Sequence, residues 1–362
     1  MADRSIPSTE AIYRILERAR WAPSGDNTQP WRFQIVADDR VIVHGHDTRD
    51  EILYDFDGHA SHMAHGALLE TMRIAASAEG LAMVWSATAD EECRNVQYAV
   101  RFEPAPDIGP DPLAPYIEAR TVQRRPMRLG QLSETQRRAL IESPGEQYRL
   151  QLFASFLERR KVAALLWDNA YIRLTCPEAF PVHQSVIEWG ACFSKDRIPE
   201  QAVGVDPMTA KLMRWVMQSW GRVQFFNRYL MGTVAPRVQL DYLPAIFCSA
   251  HLLIRPNRSP QSIEDWVALG VAMQRVWLTA TSVGLHLQPE MTPVIFRWYT
   301  QAGRKFSEES EFSRRSAALA RDFETLTQAS PIDSFGFFGR VGISASPVSR
   351  SLRRDLADLM LD

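Results

Sequence analysis

Ala22-Pro23-Ser24-Gly25-Asp26-Asn27-Thr28-Gln29-Pro30-Trp31 decides how this chain of 362 residues is read. Two prolines bracket a run of short polar residues and one glycine, which breaks regular structure and leaves backbone N–H groups free for a ligand. Ser24, Asn27 and Gln29 add side chains able to donate or accept at the edge of a planar ring. The same residues also describe an ordinary turn, with Asn27 left-handed and Trp31 opening a core strand. Upstream, Ile12, Ile15, Leu16 and Ala19 fall at helical spacing over residues 8–21, after a Ser8 or Thr9 cap. Downstream, residues 31–36 and 40–43 read as two strands joined at Asp38-Asp39.

Further along, residues 61–79 predict a helix and 96–102 a strand. Residues 104–115 hold five prolines and mark a boundary between halves. After it the pattern restarts: a helix over 133–141, a strand over 149–153, a long helix over 157–173, a buried strand over 243–254, a strong helix over 262–283 and a late strand over 338–343. Helices mixed with strands in this way predict sheets covered by helices, an α+β fold. One internal repeat is visible, because residues 66–81 lie over residues 270–285, each running from a glycine through small and apolar residues to Gly-Leu. A glycine at the start permits close helix packing, and one at the end permits a left-handed cap. The division this predicts is an N-terminal half over 1–110 and a C-terminal half over 111–362.

Residues 18–33 resemble the A-P-S-x-x-N-x-Q-P-W-x-F signature of the nitroreductase superfamily throughout. That resemblance implies a nitroreductase-like fold, pseudo-twofold within one chain, and an FMN cofactor. Family members usually build the flavin site from two identical subunits. Here the signature loop lies in the first half, and the matching arginine segment, Arg120-Thr121-Val122-Gln123-Arg124-Arg125-Pro126, lies in the second. The chain therefore resembles the double-length branch, with one composite site and one FMN per chain. By resemblance the cofactor-binding residues are Pro23, Ser24, Gly25, Asn27 and Gln29 from the loop, and Arg120 and Arg124 from the arginine segment. Pro289, Glu290 and Met291 would present backbone groups to the flavin N5 edge, and Arg353 and Arg354 of the basic tail would join at the phosphate. Guanidinium groups suit a phosphate because they form paired, charge-assisted hydrogen bonds. Val122 departs from the pattern, falling where a hydroxyl residue is common.

The resemblance implies an FMN-dependent oxidoreductase that takes hydride from NAD(P)H in a ping-pong scheme. Its acceptor would be a nitroaromatic, a quinone or a biosynthetic intermediate, and no protein acid or base is named. The alternative is a flavin-sequestering protein, or an FMN-less binding or partner protein, without turnover. Residues 181–236 have no counterpart in the first half and are rich in large apolar groups, among them Trp189, Met213, Trp215, Met217 and Phe226. They predict a lid or pocket wall, or else a helical pair filling the core or an oligomer interface.

Composition bounds the rest. The chain is 46% hydrophobic and 23% charged, as globular proteins are, and its net charge of −2 gives no global field for nucleic acid or an acidic membrane. Small molecules are the expected partners, and the chain is expected to act as a pseudo-dimeric monomer or as a further homodimer. Cys93, Cys176, Cys192 and Cys248 are scattered, which indicates neither a zinc site nor a disulfide framework. The start, Met1 to Ile6, lacks the apolar core of a signal peptide, and no run is long enough to span a bilayer, so a cytoplasmic protein is expected. His44, His46, His59, His62 and His65 fit no known metal-site spacing and are read as a surface cluster. G-x-S-x-G, P-loop and G-x-G-x-x-G motifs are lacking.

Overall fold

The computed structural model describes residues 7–92 and 94–361. The readings made on Met1 to Ile6 and on Cys93 lie outside these residues. Helix α1 (Thr9–Ala19) starts where Ser8 accepts from the Ala11 N–H, and it buries Ile12, Ile15, Leu16 and Ala19 on one face. Strands β1 (Trp31–Ala37) and β2 (Arg40–His46) follow, then helix α2 (His59–Ser77) and strands β3 (Leu81–Ala89) and β4 (Asn95–Pro104). Along β4 burial alternates strictly, with Val96, Tyr98, Val100 and Phe102 inward, as a sheet with one wet face requires.

The second half continues with α3 (Glu134–Glu142), β5 (Tyr148–Phe153), α4 (Phe156–Thr175) and α5 (Ala179–Ser185). Three short strands, β6 (Ile187–Glu188), β7 (Phe193–Ser194) and β8 (Ile198–Pro199), lead into α6 (Pro207–Val216), α7 (Trp220–Tyr229) and α8 (Val234–Pro236). A π-helical turn, Arg237–Tyr242, precedes α9 (Leu243–Ile246) and β9 (Ala250–Pro256). Then come α10 (Ile263–Ser282), β10 (His286–Pro289), α11 (Thr292–Gln301), α12 (Ser310–Thr327), β11 (Phe337–Gly342), β12 (Arg350–Ser351) and α13 (Leu356–Leu359). The apolar run read as one strand over 243–254 is therefore split. Pro244 fits the first turn of a helix, and the strand starts only at Ala250.

Two four-stranded antiparallel sheets result, in the orders β1-β2-β4-β3 and β10-β11-β9-β5. They repeat one another in connectivity. In each, a helix precedes the first strand, a long helix separates the second strand from the third, and the third strand forms an edge of its sheet. The long helices α2 and α10 pack directly together between the two cores. At their crossing Gly66 and Gly270 face each other, and a Cβ on Gly66 would lie 1.9 Å from the Val267 carbonyl oxygen. The two glycines that begin the repeated segment thus mark the point of closest approach. Its closing glycines, Gly80 and Gly284, both adopt positive φ, 72° and 77°.

Polar residues of this helix pair bond across it, from buried Gln274 to half-exposed Arg275. Gln274 donates to the Thr71 hydroxyl at 2.9 Å, and Arg275 pairs with Glu70 at 2.7 Å. The chain end then returns to the first sheet, where Leu361 N–H donates to the Phe33 carbonyl. Among the described residues no helix is long and apolar enough to cross a membrane.

The histidines read as a surface cluster are largely interior. His65 is fully buried; its Nε2 donates to the Pro30 carbonyl at 2.8 Å and its Nδ1 accepts from the Tyr98 hydroxyl at 3.1 Å. His59 stacks on Trp266 with ring centroids 3.7 Å apart. Both lie on α2, which has neighbours on nearly every side, and that is why they are covered.

Candidate functional site

The loop after α1 carries positive φ at Asp26 (48°), Asn27 (66°) and Gln29 (52°). Each such conformation costs a non-glycine residue of order 1–3 kcal/mol, so the surroundings must hold it. Ser24 Oγ accepts from the Gln29 N–H at 2.9 Å, and Gln29 Nε2 donates to the Asn27 carbonyl at 3.0 Å and the Lys195 carbonyl at 2.8 Å. Gln29 Oε1 accepts from the Arg354 N–H at 2.9 Å. Gln29 is therefore a fully engaged brace that ties the loop to the segment after β7 and to the chain end. Asn27 donates weakly to the Arg197 carbonyl at 3.4 Å, and its Oδ1 is buried without a partner.

Two adjoining cavities share this loop. The smaller, about 60 Å³, is walled by Ser24, Asn27, Arg120, Arg124, Ser351 and Arg353. Arg120 and Arg353 are buried at 3% and 8% exposure and, among the described residues, have no carboxylate partner. Arg120 Nη2 donates to the Trp21 carbonyl at 2.9 Å, its guanidinium lies 4.6 Å from the Trp277 ring centre, and its Nε has no partner. Arg353 Nε donates to the Ala22 carbonyl at 2.9 Å. Burial, aided by repulsion from neighbouring arginines, holds Arg120 well below its usual range and Arg353 down to about 9.

The larger cavity, about 420 Å³, falls within the range of small-molecule sites. Met63 of α2 and Met273 and Trp277 of α10 form one side, and Leu166, Asn169 and Arg173 of α4 another. Gln288 to Thr292 form the floor. Pro289 has no N–H, and the Glu290 N–H already donates to the Phe338 carbonyl at 2.8 Å. Backbone donors at this floor are thus left to Met291 and the first turn of α11, where a helix has unsatisfied N–H groups. From residues 181–236 the wall takes His183, Val186, Ile187, Ile198, Val203, Met213 and Met217. Trp215, Phe225, Tyr229 and Met231 are instead exposed at the surface.

Of the residues expected at a cofactor, Pro23, Ser24, Gly25, Asn27, Arg120, Arg124, Pro289, Glu290, Met291 and Arg353 line one or both cavities. Gln29 and Arg354 do not; the Arg354 guanidinium pairs with Asp196 at 3.6 Å. Adjacent tail residues point to different sides, so only Arg353 faces inward.

Several polar residues here were not read from sequence. Beneath the floor, Glu290 bonds His251 Nδ1 at 2.7 Å and Arg340 Nη1 at 2.6 Å, and Arg340 Nη2 also donates to the Gln123 and Arg124 carbonyls at 3.3 and 2.8 Å. This network fixes the floor and the arginine segment together. Burial opposes the charged form of His251, but Glu290 outweighs it and lifts the imidazole to about 10. The signal available was a polar residue inside an apolar strand, as His251 stands in Ala-His-Leu-Leu-Ile. On the walls, Tyr54 donates to His183 Nε2 at 2.9 Å, and Arg173 Nη2 reaches both Asp241 oxygens at 3.0 and 2.9 Å. Burial, partly offset by Arg173, lifts Asp241 to about 6. Among the described residues no group of three side chains is placed to hold a metal ion.

These shifts fix a pH dependence of stability. Burial holds His59, His65 and His183 down to about 3 from an ordinary 6.5, so the stability that depends on their neutral forms is present above about 6.5 and drains away as pH falls toward 3. His251 works oppositely: its contribution is full below 6.5 and is lost as pH rises toward 10. The thermal midpoint is expected to peak near neutrality and fall on both sides, and His251→Gln should flatten the alkaline limb alone. A midpoint constant from pH 7 to 9.5 would contradict this assignment.

The profile described as "Nitroreductase family" matches residues 2–56. No curated protein sequence matches the chain. Solved structures similar to it include the FMN-dependent nitroreductase NfnB from Mycobacterium smegmatis in complex with NADPH, at 13% identity, covering 69% of this chain and 97% of that one with a TM-score of 0.38. A nitroreductase with bound FMN from Desulfitobacterium hafniense is 11% identical over 67% of this chain and 95% of its own, with a TM-score of 0.35. An iodotyrosine deiodinase bound to FMN and 3-iodo-L-tyrosine matches at 11% over the same shares, with a TM-score of 0.34.

Proposed function

We propose that this chain, of the nitroreductase superfamily by its signature loop and by the profile match over residues 2–56, is an FMN-dependent oxidoreductase acting on a small molecule, with one flavin site composed from both halves of an internally duplicated chain. The observation that carries this reading is the small cavity walled by Arg120 and Arg353, two buried cations with no carboxylate partner among the described residues, opening beside a mostly apolar cavity of about 420 Å³. A phosphate dianion supplies the charge these cations lack. Ser24, Asn27 and the loop N–H groups would meet the edge of the cofactor, and the orphaned Asn27 Oδ1 matches a ring N–H.

The chemistry FMN supplies when bound is reversible two-electron hydride acceptance at N5, which lets donor and acceptor use one cavity in turn. In the net reaction NAD(P)H gives up hydride, the acceptor gains that hydride and one solvent proton, and NAD(P)⁺ departs. Arg120 and Arg353 anchor the phosphate. Glu290, held between His251 and Arg340, fixes the floor, and the apolar walls exclude water. The wall also carries the His183–Tyr54 pair and Arg173, polar handles that a purely sequestering pocket does not need.

Purified protein is expected to be yellow, with one FMN per chain, and to bleach with NADPH or NADH without oxygen. Colourless protein that takes up no added FMN would overturn the reading. A yellow protein that neither nucleotide bleaches would favour sequestration.

A further inference from the structure

The arginine on α4 is placed differently from those at the phosphate cavity. Arg173 lines the larger cavity and holds Asp241 through Nη2 alone, at 3.0 and 2.9 Å. That single-nitrogen grip leaves Nη1 and Nε outside the ion pair; they lie on different edges of the guanidinium, and each can donate one charge-assisted hydrogen bond. Its charge also reaches Asp26 of the loop, Tyr54 and His183, groups drawn from separate walls. The cavity lining holds Arg124, Arg173 and Arg340 against Asp26, Asp241 and Glu290, and His251 behind Glu290 adds one positive charge. The lining's own cations and carboxylates thus balance, three against three, and Arg173 is the one whose donors face the cavity beyond its ion pair.

We infer that the acceptor is an aromatic compound bearing one carboxylate, and that Arg173 binds this carboxylate through the donors Asp241 leaves open. The ring then lies among Met213, Met217, Met273 and Trp277, where sulfur and aromatic surface favour it. Asn169 stands one helical turn from Arg173, on the same face of α4. It is buried; its Nδ2 donates to the Thr292 hydroxyl at 2.6 Å, and its unpartnered Oδ1, an acceptor, suits a donor group on the ligand and not the carboxylate. Asp241 competes for Arg173 and sets how strongly an anion is preferred. The redox outcome rests on the function proposed above, whereas binding of the anion does not.

The test uses 4-nitrobenzoate and its neutral counterpart 4-nitrobenzamide on the purified full chain. Binding is measured by calorimetry and, with FMN loaded, turnover by NAD(P)H oxidation. The reaction converts nitro to nitroso, consuming one NAD(P)H and one proton and releasing one water. Wild type is expected to prefer the anion roughly tenfold in both readouts, a difference of about 1.4 kcal/mol. Arg173→Gln should abolish that preference, Arg173→Lys should keep part of it, and Asp241→Asn should widen it. The same ratio in wild type and Arg173→Gln, or a narrower ratio in Asp241→Asn, overturns the inference. Failure to take up FMN would sink the proposed function while leaving the binding ratios to decide on Arg173.

Discussion

Gly270→Ala and Gly66→Ala are each expected to abolish soluble folded protein or to lower its thermal midpoint more than a methyl addition at any other glycine. A Cβ on Gly270 would sit 2.0 Å from the Met63 carbonyl oxygen, and one on Gly66 would sit 1.9 Å from that of Val267. Both obstacles are backbone atoms of the facing helix, so no rotamer change relieves them and the helices must part. Overpacking of this kind costs about 3 kcal/mol or more, a large share of a net stability of roughly 5–15 kcal/mol. Separation also undoes the Gln274–Thr71 and Arg275–Glu70 contacts and displaces Met63 and Met273, which wall the larger cavity. Gly221→Ala is the control. Nothing lies within 4 Å of its added methyl group and the position is helical, so stability should hold or rise slightly. A Gly270→Ala protein melting like wild type would mean that α2 and α10 do not cross there.

What sequence disclosed was local in origin. The first loop was legible because its prolines, its glycine and its polar side chains act on their own neighbours, and the capped helices α1, α3 and α10 were legible for the same reason. The repeated glycine pattern was readable as spacing; that Gly66 and Gly270 meet each other was not, since contact between residues so far apart is a tertiary fact. Strand β3 escaped notice because it is an edge strand with only Leu81 fully buried, which leaves little alternation to read. A continuous apolar run such as 243–254 does not distinguish a helix from a strand by periodicity, and both are present in it. In the site, the brace formed by Gln29 depends on a carbonyl and an amide more than 160 residues away, which neither its side-chain type nor the signature resemblance that places it at the cofactor discloses. The pairing of Glu290 with His251 and Arg340, 39 and 50 residues away, is likewise a tertiary contact that no local pattern discloses.

Arg353→Gln is expected to weaken FMN binding by roughly a hundredfold to a thousandfold, because removing one partner of a buried charge contact costs about 2–5 kcal/mol. The flavin-free protein should respond in the opposite sense. Without a phosphate, Arg353 is a buried cation facing other arginines, and burial together with Arg350 and Arg20 holds it down to about 9. Replacing it with a neutral donor removes that repulsion and still allows a hydrogen bond to the Ala22 carbonyl. The midpoint of the flavin-free variant should therefore match or exceed that of wild type, while the rise produced by excess FMN shrinks, since that rise grows with the logarithm of ligand over Kd. Arg120→Gln should behave alike, with a larger effect on the empty protein because Arg120 is the more deeply buried. Titration of FMN by fluorescence quenching, paired with melts with and without FMN, reads both quantities. A variant that loses stability when empty yet binds FMN as wild type does would make Arg353 a brace for the loop and leave the phosphate to other groups. The opposed signs separate the two roles, because an architectural arginine stabilises the empty protein and a phosphate-binding one destabilises it until the anion arrives.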